Sequence, residues 1–234
     1  MHSQDSYTSK ISIIIPVFNE EQHILATIIT THSINTEVIV VDASSQDNTC
    51  DIANKAGAKV IASDPGRAVQ MNAGAAVANG DILLFLHADT QLPPGFDHMV
   101  RETLNKPGTV AGAFKLNIDA EPWGLRLVEW GVYMRSKHLQ LPYGDQAIFM
   151  KSETFHQLGG FPNLPIMEDF ELVQRLKTLG KITIISTPVL TSGRRWLLHG
   201  ILKTTLINQI MIIGYSLGIS PQRLASLYRQ RKLK

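Results

Sequence analysis

The sequence predicts an α/β fold, a mostly parallel central sheet flanked by helices, and three observations predict it. Short β-branched runs alternate with helix-patterned segments through the first half of the chain. The run Ile82-Leu83-Leu84-Phe85-Leu86 lies between Gly80-Asp81 and Pro93-Pro94-Gly95, which marks a strand buried on both faces. Acids (Asp42, Asp89, Asp145, Glu168 and Asp169) stand where strands are expected to end or helices to begin. In open α/β sheets the ends of the strands are where ligands bind.

Taken in order, residues 1–10 read as a mobile tail and 11–234 as one domain. Ile11–Ile15 is a β-branched strand ended by Pro16, and a helix from Glu20 to about Thr31 follows with Asn19 as its expected N-cap. Glu37–Val41 is the second strand. The polar loop Asp42–Thr49 leads into a helix closed by Gly57, and Lys59–Ala62 is the third strand. Pro65–Ala76 is a Gly-bounded loop and a small-residue helix, whose short side chains allow close approach to the sheet or a ligand. The central strand then delivers His87 and Asp89 to its C-terminal end.

Beyond it, Phe96–Leu104 is helical, Thr109–Ile118 a strand, Trp123–Leu139 helical and Ala147–Met150 a strand. Glu168-Asp169 opens a helix with acids in its first turn, where the helix dipole favours them. Lys181–Ser186 is the last expected strand, and 196–219 an apolar helical segment.

Composition narrows the class. Of 234 residues, 44% are hydrophobic and 18% charged, which excludes wholesale disorder. A net charge of +2 gives no argument for a nucleic-acid partner. The single cysteine, Cys50, excludes an internal disulfide framework. The polar start MHSQDSYTSK lacks the apolar core of a signal peptide, so a cytoplasmic protein is expected.

Capping accounts for about half of the acids at element ends, since Asp is a preferred N-cap. Two features resist that account. Asp42 and Asp89 follow apolar runs at the same sheet edge, and Glu168-Asp169 is a vicinal pair between apolar residues, where burial can raise one pKa toward a base's working range. Arg194-Arg195-Trp196 is either a solvated patch or a diphosphate clamp, because guanidinium forks match phosphate oxygens. No G-x-G-x-x-G follows the first strand and no P-loop is present.

Four segments in order resemble the family 2 glycosyltransferases of GT-A fold: Ile13–Glu20, Val40–Thr49, His87-Ala88-Asp89 at the place of the family's D-x-D, and Glu168-Asp169 at its E-D. Three further segments, Gly66–Ala75, Pro142–Gln146 and Thr191–Trp196, are similar to the radical-SAM/selenodomain-associated subgroup. The resemblance implies transfer of a sugar from a nucleotide-diphosphate-sugar donor to an acceptor hydroxyl; a single candidate base, Asp169, points to inversion, and Ser192 in place of the Gln of QxxRW to a non-processive transfer. Pro16 and Glu20 would line the nucleotide pocket, and Asp42 would contact base or ribose. Arg67, Arg194 and Arg195 would face the donor. Asp89, with His87 as a second candidate, would hold Mg²⁺ or Mn²⁺. Asp169 would be the base with Glu168 beside it, and Gly144, Asp145, Gln146 and Trp196 would lie on the acceptor side.

His87 replaces the first Asp of D-x-D, Ala43 the second acid of VDD, and Ser192 the Gln of QxxRW. Ala43 and His87 support a rival reading, a non-catalytic nucleotide-sugar-binding or scaffold protein, while Ser192 speaks against processive transfer. A sugar-phosphate nucleotidyltransferase would carry a Gly-rich basic loop after the first strand, and none is there. Segment 196–219 approaches the ~20 apolar residues of a membrane span. His199, Lys203, Asn208 and Gln209 interrupt it, so burial, a homodimer interface or a peripheral contact with the inner face of a membrane is expected instead. Arg223, Arg229, Arg231, Lys232 and Lys234 would suit anionic lipid, and a lipid-linked acceptor would give that contact a purpose.

Overall fold

The computed structural model describes residues 8–232, with side chains up to Tyr228. Residues 1–7 of the expected tail lie outside this range, as do the side chains of Arg229, Arg231, Lys232 and Lys234. The last two tail residues are tied down. Lys10 N donates to Asp81 at 3.0 Å, Lys10 Nζ pairs with Glu37 at 2.8 Å, and Ser9 O accepts from Arg101 Nε at 2.9 Å.

The strands are β1 (Ile11–Val17), β2 (Thr36–Asp42), β3 (Lys59–Ala62), β4 (Ile82–Phe85), β5 (Thr90–Gln91), β6 (Thr109–Asp119), β7 (Phe149–Lys151) and β8 (Lys181–Ser192). They form one sheet in the order β3-β2-β1-β4-β7-β6-β8-β5. β3, β2, β1 and β4 run parallel, as do β6 and β8, while β7 and β5 are antiparallel to their neighbours. β1 does not stop at Pro16. Leu86 N donates to Ile14 O, so Ile14, and Pro16 two residues on, face the β4 side. The paired register of β4 ends at Phe85 opposite Ile14, and the N–H that proline lacks is not missed.

Helices cover both faces. Ile13, Ile15 and Leu84 pack against α1 (Ile24–Ile29) and α4 (Phe96–Leu104) on one side. Ile14, Leu83 and Phe85 pack against α3 (Arg67–Ala76) and α7 (Glu168–Leu179) on the other. This is the alternation expected of a strand buried on both faces. α2 (Thr49–Lys55), α5 (Gly124–Leu139) and α6 (Ser152–Gln157) complete the layers. The small-residue helix α3 lies close to the sheet, because a Cβ on Gly74 would stand 2.5 Å from Ile14 Cγ2 and 2.9 Å from Val41 Cγ2.

Two expectations are corrected here. Asn19 is not a helix cap: it has φ +53°, its Oδ1 accepts from Gln46 N at 2.8 Å, and α1 begins only at Ile24. The segment 196–219 is not one helix. It divides into the end of α8 (Arg194–His199) and α9 (Ile201–Ser216), separated by Gly200 at φ +84°, and α10 (Pro221–Lys232) follows. A left-handed glycine turns the chain where a continuous helix would need αR. Met211 and Leu224 of the last two helices pack with Met167 and Phe170, which fixes α9 and α10 over the start of α7. Among the described residues no helix is long and apolar enough to cross a membrane.

Candidate functional site

A cleft of about 610 Å³ opens beyond the C-terminal ends of β1 and β4. It gathers residues far apart in sequence: Pro16 and Glu20 after β1, Arg67 and Gln70 from α3, His87 and Asp89 after β4, Gly144 and Asp145, Asp169 from α7, and Arg194, Arg195 and Trp196 from α8. Three expected residues stand outside its lining. Asp42 is buried at the end of β2 and its carboxylate accepts from Ser45 N at 3.0 Å. Glu168 is 2% exposed and lies behind Arg67, whose Nε it meets at 2.8 Å. Gln146, expected on the acceptor side, is a structural residue. It is fully buried, its Oε1 accepts from Ser136 Oγ at 2.8 Å and its Nε2 donates to Phe114 O at 2.9 Å. Its amide is engaged at both ends and out of a substrate's reach.

Local backbone explains how the acids are aimed. Met167, directly before Glu168-Asp169, has φ +71°, and Ala147, just after the 3-10 turn Gly144–Gln146, has φ +50°. Non-glycine residues hold such angles only where surrounding packing imposes them, and they cluster at functional sites. Asp169 Oδ2 accepts from Gly144 N at 2.8 Å and Oδ1 from Phe170 N at 2.7 Å, so two backbone donors orient the carboxylate. Gly144 is tightly placed: a Cβ there would meet His87 Nε2 at 3.0 Å and Asp169 Oδ2 at 3.2 Å.

Charges alternate along the cleft. Arg194 Nη2 donates to Glu20 Oε1 and stands 3.3 Å from Asp89 Oδ2, while His23 Nδ1 lies 3.3 Å from Glu20 Oε2. Arg195 Nη2 donates to Asn208 at 2.8 Å and its guanidinium lies 5.1 Å from the Tyr228 ring centroid. The two arginines therefore face different partners within one cleft. Burial raises the Asp89 carboxyl above its ordinary range despite the neighbouring Arg194. Burial also raises Glu168, against the pull of Arg67. Burial and the Arg67 charge push the His87 imidazole down to about 4, so it is neutral at physiological pH. Burial pushes Asp145 up to about 6, against the pull of Arg135. Its Oδ1 has no hydrogen-bond partner among the described residues.

The donor set bears on a divalent cation. Among the described residues no three His, Cys, Asp or Glu side chains converge into a metal site. Mg²⁺ is commonly held by one or two carboxylates plus the phosphates of a substrate. Asp89, a desolvated carboxylate 3.3 Å from Arg194, fits an ion carried in by a diphosphate and not a closed protein cage.

Several cleft residues carry no legible sequence signal. Gln70 is buried and its Nε2 donates to Val17 O at 2.9 Å and Val41 O at 2.8 Å, bracing the ends of β1 and β2. Tyr143 lines the cleft, and Arg135, outside the lining, stacks on its ring with the guanidinium carbon 3.4 Å from the centroid. Ile166, Met167, Phe170, Met211 and Ile212 line the cleft as one apolar cluster.

Comparison with known proteins places this geometry. Residues 12–158 match the family described as Glycosyl transferase family 2. A probable glycosyltransferase of Bacillus subtilis (strain 168), YdaM, is 29% identical over 73% of this chain and 47% of its own length. The 4,4'-diaponeurosporenoate glycosyltransferase of Staphylococcus haemolyticus is 37% identical over 36% of this chain and 25% of its own. The chain thus spans less than half the length of the curated relatives it matches.

Among solved structures, mannosyltransferase PcManGT from Pyrobaculum calidifontis, in complex with GDP-Man and Mn²⁺, superposes with a TM-score of 0.62 at 18% identity, over 79% of this chain and 57% of that one. TarS 1-349 of S. aureus with UDP-GlcNAc gives 0.61 at 17%, over 78% and 58%. Glucosyl-3-phosphoglycerate synthase from Mycobacterium tuberculosis, with Mn²⁺, UDP and glucosyl-3-phosphoglycerate, gives 0.58 at 21%, over 77% and 70%. At such identities the likeness speaks for the fold, and the fold is GT-A. With the family match running over more than half its length, the chain belongs to glycosyl transferase family 2.

Proposed function

We propose that this chain transfers a sugar from a nucleotide-diphosphate-sugar donor to an acceptor hydroxyl by a single inverting displacement. The observation that carries this reading is the placing of Asp89 and Asp169 in one cleft, with Arg67, Arg194 and Arg195 around them. In this reading the Asp169 carboxylate takes the acceptor's proton while the acceptor oxygen bonds to the anomeric carbon and the nucleoside diphosphate leaves. The backbone donors from Gly144 and Phe170 fix the carboxylate and leave each oxygen a further lone pair for that proton. Glu168 acts through Arg67, holding the guanidinium toward the donor phosphates. Arg194 offsets charge developing on the leaving group. When bound, Mg²⁺ or Mn²⁺ held by Asp89 and the phosphate oxygens would add to that offset.

Pro16 and Glu20 line the nucleotide end, and Asp145 and Trp196 the acceptor side, where Trp196 Nε1 is buried without a partner among the described residues. The apolar wall of Ile166, Met167, Phe170, Met211 and Ile212 supports an acceptor whose hydroxyl sits on an apolar, lipid-linked body. The donor class draws support from the nucleotide sugars GDP-Man and UDP-GlcNAc bound to the structural neighbours. The subgroup likeness rests on the segments Gly66–Ala75, Pro142–Gln146 and Thr191–Trp196.

A thermal-shift screen of nucleotide sugars, with and without Mn²⁺, tests the reading. A ligand at a hundredfold excess over its Kd stabilises by about 2.7 kcal/mol, worth roughly 5–10 °C in a chain of this size. We expect that rise for at least one nucleotide sugar, with its slow release of nucleoside diphosphate in water alone. No rise with any donor contradicts the reading, and a rise without turnover in any assay favours the non-catalytic binding protein.

A further inference from the structure

We propose that the exposed apolar face of α5, α8 and α9 seats on an anionic lipid bilayer. The proposal deepens the lipid-linked acceptor reading, on which its purpose but not its geometry rests. On α5, Trp123, Leu127 and Trp130 are 77%, 60% and 63% exposed. At 3.6 residues per turn they fall within an arc of roughly 60°. On α9, Leu202, Leu206, Ile213 and Leu217 share a second arc of roughly 60°, with Leu202 86% and Leu217 77% exposed. Leu197 and Leu198 of α8 are exposed as well. The helices meet at one end, where Ile201 Cδ1 stands 3.3 Å from the Cβ position of Gly124. Scattered surface leucines need no explanation, but a joined face of this extent marks an interaction site.

Charge chooses the occupant. No Asp or Glu follows Glu171 in the sequence, whereas Lys203, Arg223, Arg229, Arg231, Lys232 and Lys234 do. On α5 Lys137 is exposed, whereas Arg126, beside Leu127, is paired with Glu129 at 3.1 Å. The acids nearby are Glu121, next to Trp123, Asp119, whose backbone adjoins Gly193, Glu171, which accepts from Tyr215 of α9 at 2.9 Å, and Glu129, which is buried and accepts from Ile118 N at 2.6 Å. A second copy seated by two-fold symmetry would bring the same cationic patch against itself. An anionic lipid surface complements it, and paired tryptophans favour the water–lipid boundary. The inward side of α9 presents Asn208, Met211 and Ile212 to the cleft, so seating on lipid would place the apolar wall beside the bilayer.

The experiment is flotation of the full chain with vesicles of 70% phosphatidylcholine and 30% phosphatidylglycerol, against pure phosphatidylcholine, a composition chosen as roughly physiological anionic charge. The wild type should float with the anionic vesicles and weakly with the neutral ones. The triple variant Trp130→Ser, Leu202→Ser, Leu206→Ser should lose at least about tenfold in partition. Circular dichroism and an unchanged donor-induced thermal shift in the variant confirm the fold and keep failure here separate from failure of the transfer reading. Wild-type protein that floats with neither vesicle, a variant that floats equally well, or a dimer that the substitutions dissociate would each overturn the proposal.

Discussion

Asp145 shows what burial does to a single side chain in this cleft. Its folded pKa, about 6, lies above the ordinary 3.8, so the protonated form is the one the fold favours. The stability linked to it is complete below about pH 3.8 and is lost as pH rises through 6. Asp145→Asn keeps the neutral shape and removes that titration. The variant should gain on the wild type by about 1–3 kcal/mol between pH 4 and pH 7.5 in denaturant unfolding. A pH-independent difference would show that Asp145 is not desolvated as the structure has it. Residues with a motif to sit in were legible at this scale: His87, Asp89, Asp169, Arg67, Arg194 and Arg195 all reach the cleft. Gln146 was placed among them by the resemblance of the segment Pro142–Gln146; an amide used for capping and an amide used for binding are the same letter. Gln70 and Tyr143 were missed for the converse reason, since a lone amide or phenol carries no spacing signal.

At the scale of elements, hydrophobic patterning located most strands and helices but not β5, α6 or α10, because burial on one or two faces leaves a period only in longer, apolar segments. Ends were less legible. β8 runs to Ser192 rather than Ser186 because pairing with β6 and β5 continues it past Pro188, a tertiary effect no local pattern records. The division at Gly200 was visible as a letter but not as a break, since a glycine inside an apolar run can also be helical. Gly74 and Gly131 offer a matched test of the helix layers. Alanine gains about 1 kcal/mol over glycine by helix propensity. At Gly131 a Cβ meets nothing within 4 Å, so Gly131→Ala should stabilise by up to about that amount. At Gly74 the same methyl meets Ile14 and Val41 of the sheet, so Gly74→Ala should destabilise by about 1–3 kcal/mol. Thermal unfolding of both variants reads the two signs; stabilisation at both positions would mean that α3 does not press on β1 and β2.

At the scale of the molecule, the cleft exists because residues more than a hundred positions apart converge on one sheet edge. Glu20 after β1 meets Arg194 of α8, and Arg67 of α3 meets Glu168 at the start of α7. The sequence marked the charged half of this assembly through acids at element ends. It did not mark the apolar half, because α9 is apolar nearly all round and its inward and outward faces look alike until the fold orients them. In the proposed transfer Asp169 is the base and the donor is held by other residues of the cleft. The most direct measurement is single-turnover sugar transfer by Asp169→Asn, paired with titration of donor binding. The substitution keeps the Gly144 N–H acceptor oxygen but cannot take a proton at neutral pH. We expect turnover to fall by about 10²–10⁴ with the donor Kd within about twofold of wild type. Unchanged turnover, or a loss that lies wholly in donor affinity, would contradict the account.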